Sequence, residues 1–425
     1  MTPPQQAAGA FGGRGGPPNV LNAGPSDAYR FNWNTPFMLS PHNPSIVWLG
    51  GNRLFKSYNR GDTWVASADL TKNVDRNTVS LMAPGKVTQL SKNDGVVSYS
   101  TIISVSESPV LPGVVWAGTD DGNVQVSRDS GATFAEVGKA MPGLPADHQY
   151  WISRIDASHF DAGTAYVAVD GHRSDDLKPY VFVTRDFGKT FQNISGNLPS
   201  SGNVQVVRED PKNKDLLYVG TEFGLFVSLD AGKSWQKFMN NYPTVRTDDI
   251  LVHPRENDLI VASHGRSVWI ADDITPLQQL TPAVRDSDAT LFDIRPAVAW
   301  LNDQQNNQQV GGQKVFVGEN APRGAAINYY LKANAGDVKI SIADVNGRTI
   351  RTLEAPKTAG INRVMWNLAP QPPQGQQGGG GGGGGGGRGG GGAVEPGTYI
   401  VTLEVGGKKL TKPLQVLQDR WLNER

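Results

Sequence analysis

Apolar and polar residues alternate in short runs along most of this chain, and the runs recur in a fixed order. SPHNPSIVWLGG, SPVLPGVVWAGT, SHFDAGTAYVAVD and DPKNKDLLYVGT each lead from a Pro- or Asp-rich turn into a β-branched strand and then a short loop. An alternating strand comes next, followed by a second kind of turn: SYNRGDTW from Ser57, SRDSGATF from Ser127, TRDFGKTF from Thr184 and SLDAGKSW from Ser228. Each of these turns runs into an aromatic strand. Period-two alternation bounded by Gly, Pro and Asp predicts β-strands. With the apolar strand that precedes the lead-in, each unit holds four of them, which makes one blade of a propeller. A fifth unit, HPRENDLIVASHGRSVWIADD from His253, keeps the lead-in but lacks the Asp turn. The starts of the four turns lie at or above the roughly 40 to 50 residue period of propeller repeats, and the excess falls between units as loops.

The second turn has its own chemistry. A hydroxyl residue is followed by an acid or its amide, then Gly, then Ser or Thr and an aromatic. Asp or Asn bonds backbone N–H groups of its own turn, Gly supplies a positive φ, and the aromatic starts the returning strand and packs inward. The first copy has Asn59 in place of the acid and Asp62 before its Thr; Asn fills the same turn role. Asp129, Asp186 and Asp230 are therefore structural, and Trp64, Phe134, Phe191 and Trp235 belong to the core.

These repeats resemble Asp-box (BNR) repeats, found in sialidases, the sortilin-type propeller, photosystem assembly factors and xyloglucanase-like glycosidases. YWISRIDASHFDAGTAYVAVDGHRSDDLKPYVFVTRDFGKTF (150–191) and SHGRSVWIADDITPL (263–277) are most similar to large bacterial sortilin-like proteins labelled glycosyl hydrolases. The resemblance covers roughly residues 29 to 277 and implies a fold more firmly than an activity, because Asp boxes occur on enzymes, receptors and assembly factors alike.

Beyond a polar stretch, NDQQNNQQVGGQ (302–313), the pattern changes to INYYLKA, DVKISIAD, INRVMWNL, GTYIVTLEV and KPLQVLQ, alternating strands separated by turns such as VNGR and VGGKK. This predicts a small β-sandwich, and it resembles the immunoglobulin-like domain of flagellar hook-capping proteins. The fold class is thus all-β: a β-propeller of at least five blades, followed by the sandwich. The expected layout is a Pro/Gly linker over 1–28, propeller over 29–284, connector over 285–313, sandwich over 314–419 with a Gly-rich loop at 371–393, and a tail over 420–425. TLFDIRPAVAW (290–300) is strand-like and fits either the missing outer strand of the fifth blade or the start of the next domain. The Gly run over 378–392 cannot pack, so it reads as a disordered loop and not as a nucleotide-binding motif.

Charge and composition narrow the function. Forty basic and forty acidic residues give zero formal net charge, so no global field favours nucleic acid or anionic membrane. The absence of cysteine excludes disulfides, thiolate metal sites and cysteine nucleophiles. No apolar run approaches the roughly 20 residues needed to span a bilayer. MTPPQQAAGAFGGRGGPPNV lacks the basic start and apolar stretch of a secretory signal. The resemblance, by contrast, implies a periplasmic or extracellular protein with further blades upstream, of which this chain is the C-terminal part.

Ligand sites of propellers are expected on the face away from the Asp turns, where the second and third strands of each blade connect. Those loops are 50–52, 119–123, 170–179, 221–224 and 263–267. Acids needed in pairs for glycoside hydrolysis, with carboxyl groups roughly 5 to 10 Å apart, are available there as Asp120, Asp121, Asp175, Asp176 and Glu222. Ligand-binding candidates are Tyr150, Trp151, Asp170, His172, Arg173, His264 and Arg266, with Tyr150 and Trp151 as stacking surfaces. A carboxylate-rich loop such as DGHRSDDLKP can hold Ca²⁺, yet neither EF-hand nor HExxH spacing is present, so no cofactor or metal is expected. GxSxG and the arginine trio of sialidases are also absent. Two functions stay open: a glycan- or peptide-binding scaffold module, and a glycoside hydrolase with carboxylates paired across blades.

Overall fold

The computed structural model describes residues 19–75, 98–145, 148–301, 320–372 and 393–420. The chain divides into two compact units, Met1–His253 with Leu259–Ile270, and Pro254–Asp258 with Ala271–Arg425.

The first unit is a succession of propeller blades. β1 (Phe37–Leu39), β2 (Val47–Gly50), β3 (Arg53–Ser57) and β4 (Val65–Asp69) form the first four-stranded antiparallel sheet. The second contains β5 (Ile102–Glu107), β6 (Val115–Thr119), β7 (Val124–Ser127) and β8 (Ala135–Glu136); the third contains β9 (Trp151–Ala157), β10 (Ala165–Asp170), β11 (Tyr180–Thr184) and β12 (Gln192–Asn193). The fourth is β13 (Val204–Glu209), β14 (Leu217–Thr221), β15 (Gly224–Ser228) and β16 (Gln236–Lys237). The fifth has three strands, β17 (Thr247–Val252), β18 (Leu259–Ser263) and β19 (Val268–Ala271).

Successive blades bury apolar faces against each other. Trp48 and Leu54 of the first meet Ile102, Val115 and Ala117 of the second. Trp116 and Val124 of the second join Ile152, Val167 and Phe182 of the third, and Ala168 and Val181 of the third pack on Val207 and Leu217 of the fourth. The β-branched and aromatic composition of these strands suits a surface buried on both sides. Trp64, Phe191 and Trp235 are buried as their place in the repeat requires, and Phe134 is partly buried against the first interface.

The repeat turn has one geometry in four copies. In the second, Asp129 Oδ1 accepts the Ser127 hydroxyl at 2.8 Å and the Thr133 N–H at 2.9 Å, while Ser127 Oγ accepts the Gly131 N–H at 2.8 Å. The acid's other oxygen takes the Thr133 hydroxyl. Local bonds of this kind hold Asp129 down to about 2, with the Thr133 hydroxyl first among them. Asn59 keeps the bond from the Thr63 N–H at 3.0 Å but donates its amide to the Thr63 hydroxyl, reversing that one polarity. Gly61, Gly131, Gly188 and Gly232 have φ of 100°, 84°, 82° and 85°. The residue before each of them is also left-handed, which the composition alone does not announce: Arg60, Ser130, Phe187 and Ala231 lie at 58° to 61°.

Three expectations change. The linker ends earlier than residue 28: Val20 is buried and pairs with Trp64, and Tyr29 and Phe31 pack on Phe55, so this segment covers the outer face of the first blade. The fifth blade has no such cover among the described residues, since Leu251, Val268 and Ile270 are each more than half exposed. TLFDIRPAVAW does not supply its missing strand. β20 (Ala289–Leu291) pairs with β22 (Ala325–Leu331), and β21 (Ala297–Ala299) runs parallel to β27 (Lys408–Gln418), so the expected connector contributes two strands to the second unit. Both are only three residues long and flank Pro296, which hides them in the pattern.

The second unit is a sandwich preceded by two short helices, α1 (Thr275–Gln279) and α2 (Pro282–Asp286). One sheet has the order β20, β22, β25 (Gly360–Trp366); the other has β21, β27, β26 (Gly397–Val405), β23 (Val338–Asp344), β24 (Thr349–Glu354). Ile327, Tyr329, Ile340, Ile342, Trp366, Val401, Leu403 and Leu414 fill the space between them. The polar stretch 302–313, the Gly run and the tail from 421 lie outside the described residues. Among the described residues no helix is long and apolar enough to cross a membrane.

Candidate functional site

A cavity of about 410 Å³ opens in the first unit, lined by residues from all five blades or their lead-ins. Its wall is made chiefly by the innermost strands. Alternation along β9 turns Trp151 and Ser153 toward the cavity, and Arg154 also lines it. β13 contributes Gln205, and β17 with its lead-in contributes Arg246, Asp248 and Asp249. The β10–β11 loop adds Asp170, His172 and Arg173, and the β18–β19 loop adds His264. Trp33, on the run-in to the first blade, stands at the rim and is 80 % exposed.

Ion pairs organise this wall. Arg208, beneath it, donates from Nη1 to Asp156 at 2.8 Å and from Nη2 to Asp249 at 3.0 Å, and its Nε donates to the Ile250 carbonyl at 3.0 Å. Arg154 Nη2 reaches the other Asp249 oxygen at 3.1 Å. Burial opposes every charge in this cluster. On Asp249 the two guanidinium groups outweigh it and lower the carboxyl pKa; Arg154, short of partners and close to Arg208, has its own pKa lowered. The third, fourth and fifth blades are joined by these contacts.

Two Asp–His pairs sit at the mouth. Asp170 is buried and accepts His172 Nδ1 at 2.7 Å, the His172 N–H at 3.0 Å and Gln205 Nε2 at 3.3 Å. Burial would raise its pKa, but the bonds and charge of His172 prevail and lower it. His264 Nδ1 lies 2.9 Å from Asp248, which also accepts Arg246 Nε at 2.6 Å. The Arg173 guanidinium lies 3.5 Å above the Trp151 ring, a stacking arrangement that suits its planar cation.

Of the residues singled out in the sequence, Trp151, Asp170, His172, Arg173 and His264 converge on this cavity. Tyr150 does not: one position from Trp151, it faces into the third blade, where its hydroxyl donates to Asp176 at 3.0 Å. Asp176 also accepts the Tyr180 hydroxyl at 2.7 Å, so it clamps two tyrosines of its own blade. Asp175 is exposed in a left-handed cap, Glu222 sits in the β14–β15 turn, and Arg266 is exposed with a bond to the Gly265 carbonyl. None of these four lines the cavity.

Asp120 and Asp121 are corrected more sharply. Both are wholly buried. Asp120 accepts the Thr101 N–H and hydroxyl at 2.7 Å each and Asn32 Nδ2 at 3.2 Å; Asp121 accepts the Lys72 N–H at 2.8 Å and the Thr119 hydroxyl at 2.5 Å. Their loop folds inward to satisfy backbone donors of neighbouring segments, and no substrate reaches these oxygens.

Among the described residues no three His, Cys, Asp or Glu side chains group as a metal site. The second unit has a larger cavity of about 680 Å³, but its charges are engaged locally: Arg295 with Asp258 at 2.8 Å, and Arg363 with the carbonyls of Asp272 and Asp273. Arg154, Gln205, Arg246, Asp248 and Asp249 escaped the loop-centred search. Their signal is a polar residue within or beside an otherwise apolar innermost strand, in YWISRID, NVQVVRED and VRTDDILV.

No family model matches the chain. A curated relative, the oligoxyloglucan-reducing end-specific xyloglucanase of Emericella nidulans, is 28 % identical over 142 residues, 31 % of this chain and 16 % of that protein. The chain therefore spans about a sixth of that relative's length. Among solved structures, an ancestral GH74 enzyme is 14 % identical, with 81 % of this chain and 40 % of that one covered and a TM-score of 0.37. The GH74 xyloglucanase of Xanthomonas campestris is 12 % identical, with 78 % and 45 % covered and a TM-score of 0.38. PorZ, a surface component of the type-IX secretion system of Porphyromonas gingivalis, is 15 % identical, with 94 % and 60 % covered and a TM-score of 0.28.

Proposed function

We propose that the first unit is a glycan-binding module of an exported protein and that the ligand occupies the cavity lined by Trp151, Asp170 and Arg173. The observation that carries this reading is the composition of the cavity: an indole left 80 % exposed at the rim, Trp33, with a wall of hydrogen-bonding groups drawn chiefly from the third, fourth and fifth blades. A flat apolar ring beside directional polar groups suits a sugar face and its hydroxyls. Local similarity to a xyloglucanase supports a glycan over a peptide.

Binding is favoured over hydrolysis by the state of the carboxylates. A glycosidase needs one carboxylic acid that keeps its proton near neutral pH. In the cavity, Asp170 and Asp249 are held below the ordinary carboxylate range by His172 and by Arg154 with Arg208. The acid raised to about 7, Asp120, is sealed away from it.

The test is titration calorimetry of the full chain with xyloglucan and other plant and bacterial oligosaccharides, alongside a turnover screen. Binding without turnover, weakened at least tenfold by Trp33→Ala, is the expected result. Oligosaccharide cleavage abolished by Asp170→Asn would replace the binding reading with the hydrolytic one.

A further inference from the structure

The donors and acceptors of the cavity in the first unit are unequally used. Its three carboxylates each have donors of their own: Asp170 from His172 and Gln205, Asp248 from Arg246, Asp249 from Arg154 and Arg208. Ser153 donates its hydroxyl to the Val204 carbonyl. On the donor side, Arg154 Nε and Trp151 Nε1 are buried without a hydrogen-bond partner, while the Arg154 side chain, about a quarter exposed, lines the cavity and, among the described residues, pairs with Asp249. Asp170 holds His172 by Nδ1, so Nε2 is a second donor of this ring in its imidazolium form.

From this imbalance we infer that the ligand carries a carboxylate, in the form of a uronic acid residue, and that Arg154 with His172 receives it beside the stacked Arg173. The inference rests on the glycan-binding reading and specifies its substrate class. A neutral sugar brings hydroxyls that donate as well as accept, and in this wall the carboxylate acceptors for those donors are committed. A carboxylate brings acceptors alone. It would supply a second anionic partner to a largely buried guanidinium that lies beside the like charge of Arg208. The stack on Trp151 fixes the plane of Arg173, so its contribution needs little reordering on binding.

The experiment titrates the full chain with an oligogalacturonide, a neutral xyloglucan oligosaccharide of similar length and an Asp/Glu-rich peptide, at low and at near-physiological salt. The uronate is expected to bind at least tenfold more tightly than either competitor, and more weakly as salt rises. Arg154→Gln, and separately Arg173→Gln, should bring the uronate down to the neutral affinity; Arg154→Gln also breaks the ion pair with Asp249 and lowers the thermal midpoint, whereas Arg173→Gln should retain it and so guards against a variant that fails to fold. Equal affinity for uronate and neutral sugar, unchanged in both variants, overturns the carboxylate while leaving glycan binding intact. A peptide bound as tightly as the uronate overturns the assignment to a sugar acid. No binding of any sugar removes the underlying reading as well.

Discussion

The carboxylate of Asp120 is closed onto Thr101, whose N–H and hydroxyl it accepts at 2.7 Å each. Burial pushes the acid up to about 7, with the Asp121 charge adding to the rise and the bonds from Thr101 and Asn32 moderating it. In an unfolded chain the same group ionises near 3.9. Between these values the folded protein holds a proton that the unfolded chain has released. Raising the pH from about 4 to about 7 therefore draws stability from the fold, and above about 7 this loss is complete. Asp120→Asn removes the effect. Its thermal midpoint should gain on the wild type from pH 5 to pH 8; curves that run parallel would show that Asp120 does not titrate in this window.

The repeat turn tolerates an amide and not an alkyl group. Asp230→Asn should match the first turn, where Asn59 keeps the main N–H bond, and cost well under 1 kcal/mol. Asp230→Ala loses the bonds to Ser228 and Ser234 and should cost about 1–2 kcal/mol. Gly232→Ala should be worse than either, because a Cβ there would lie 2.7 Å from Ile194 Cδ1 at a φ of 85°. Urea denaturation of the three variants gives the order directly.

Arg208 holds Asp156 and Asp249 at once. Replacing it with Met strands the buried carboxylate of Asp156 and leaves the partly exposed Asp249 to Arg154 alone, a loss of roughly 3 kcal/mol. Arg208→Met with Asp156→Asn should recover part of that loss, since the stranded charge is gone. A double variant as unstable as the sum of the singles would deny the coupling.

Val268 and Ile270 are 57 % and 59 % exposed on the outermost strand of the fifth blade. Bare apolar edge strands invite pairing with other chains. Val268→Thr with Ile270→Thr should reduce concentration-dependent association in light scattering and leave the first four blades unchanged in stability. Equal scattering by wild type and variant would place any association elsewhere.

Much of the blade architecture was legible because each level of the pattern agrees with the others: the alternation, the turn residues and the inward aromatics all point to the same strand order. The structural role of Asp129, Asp186 and Asp230 followed from the same agreement. The cavity was only half legible. Loops rich in titratable residues located Asp170, His172, Arg173 and His264. The same loops also contain Asp120 and Asp121, and nothing in TDDGN distinguishes an acid facing solvent from one folded onto the N–H of a strand nineteen residues upstream. Tyr150 and Trp151 were separable in principle, because neighbours on a strand face opposite ways. Arg154 and Asp249 were harder: a charge on an inner strand becomes intelligible only when its partners from other blades are known.

In three of the four repeat turns the glycine touches the blade before it. A Cβ at Gly131, Gly188 or Gly232 would come within 3.0 Å of Trp48, Val137 or Ile194 respectively, whereas at Gly61 the nearest atom belongs to its own turn's Trp64. The turn is constant, and the side chain seated against it varies in bulk from Val to Trp. Each such side chain therefore sets how closely its turn can approach the blade before it, and the approach can vary without disturbing the turn.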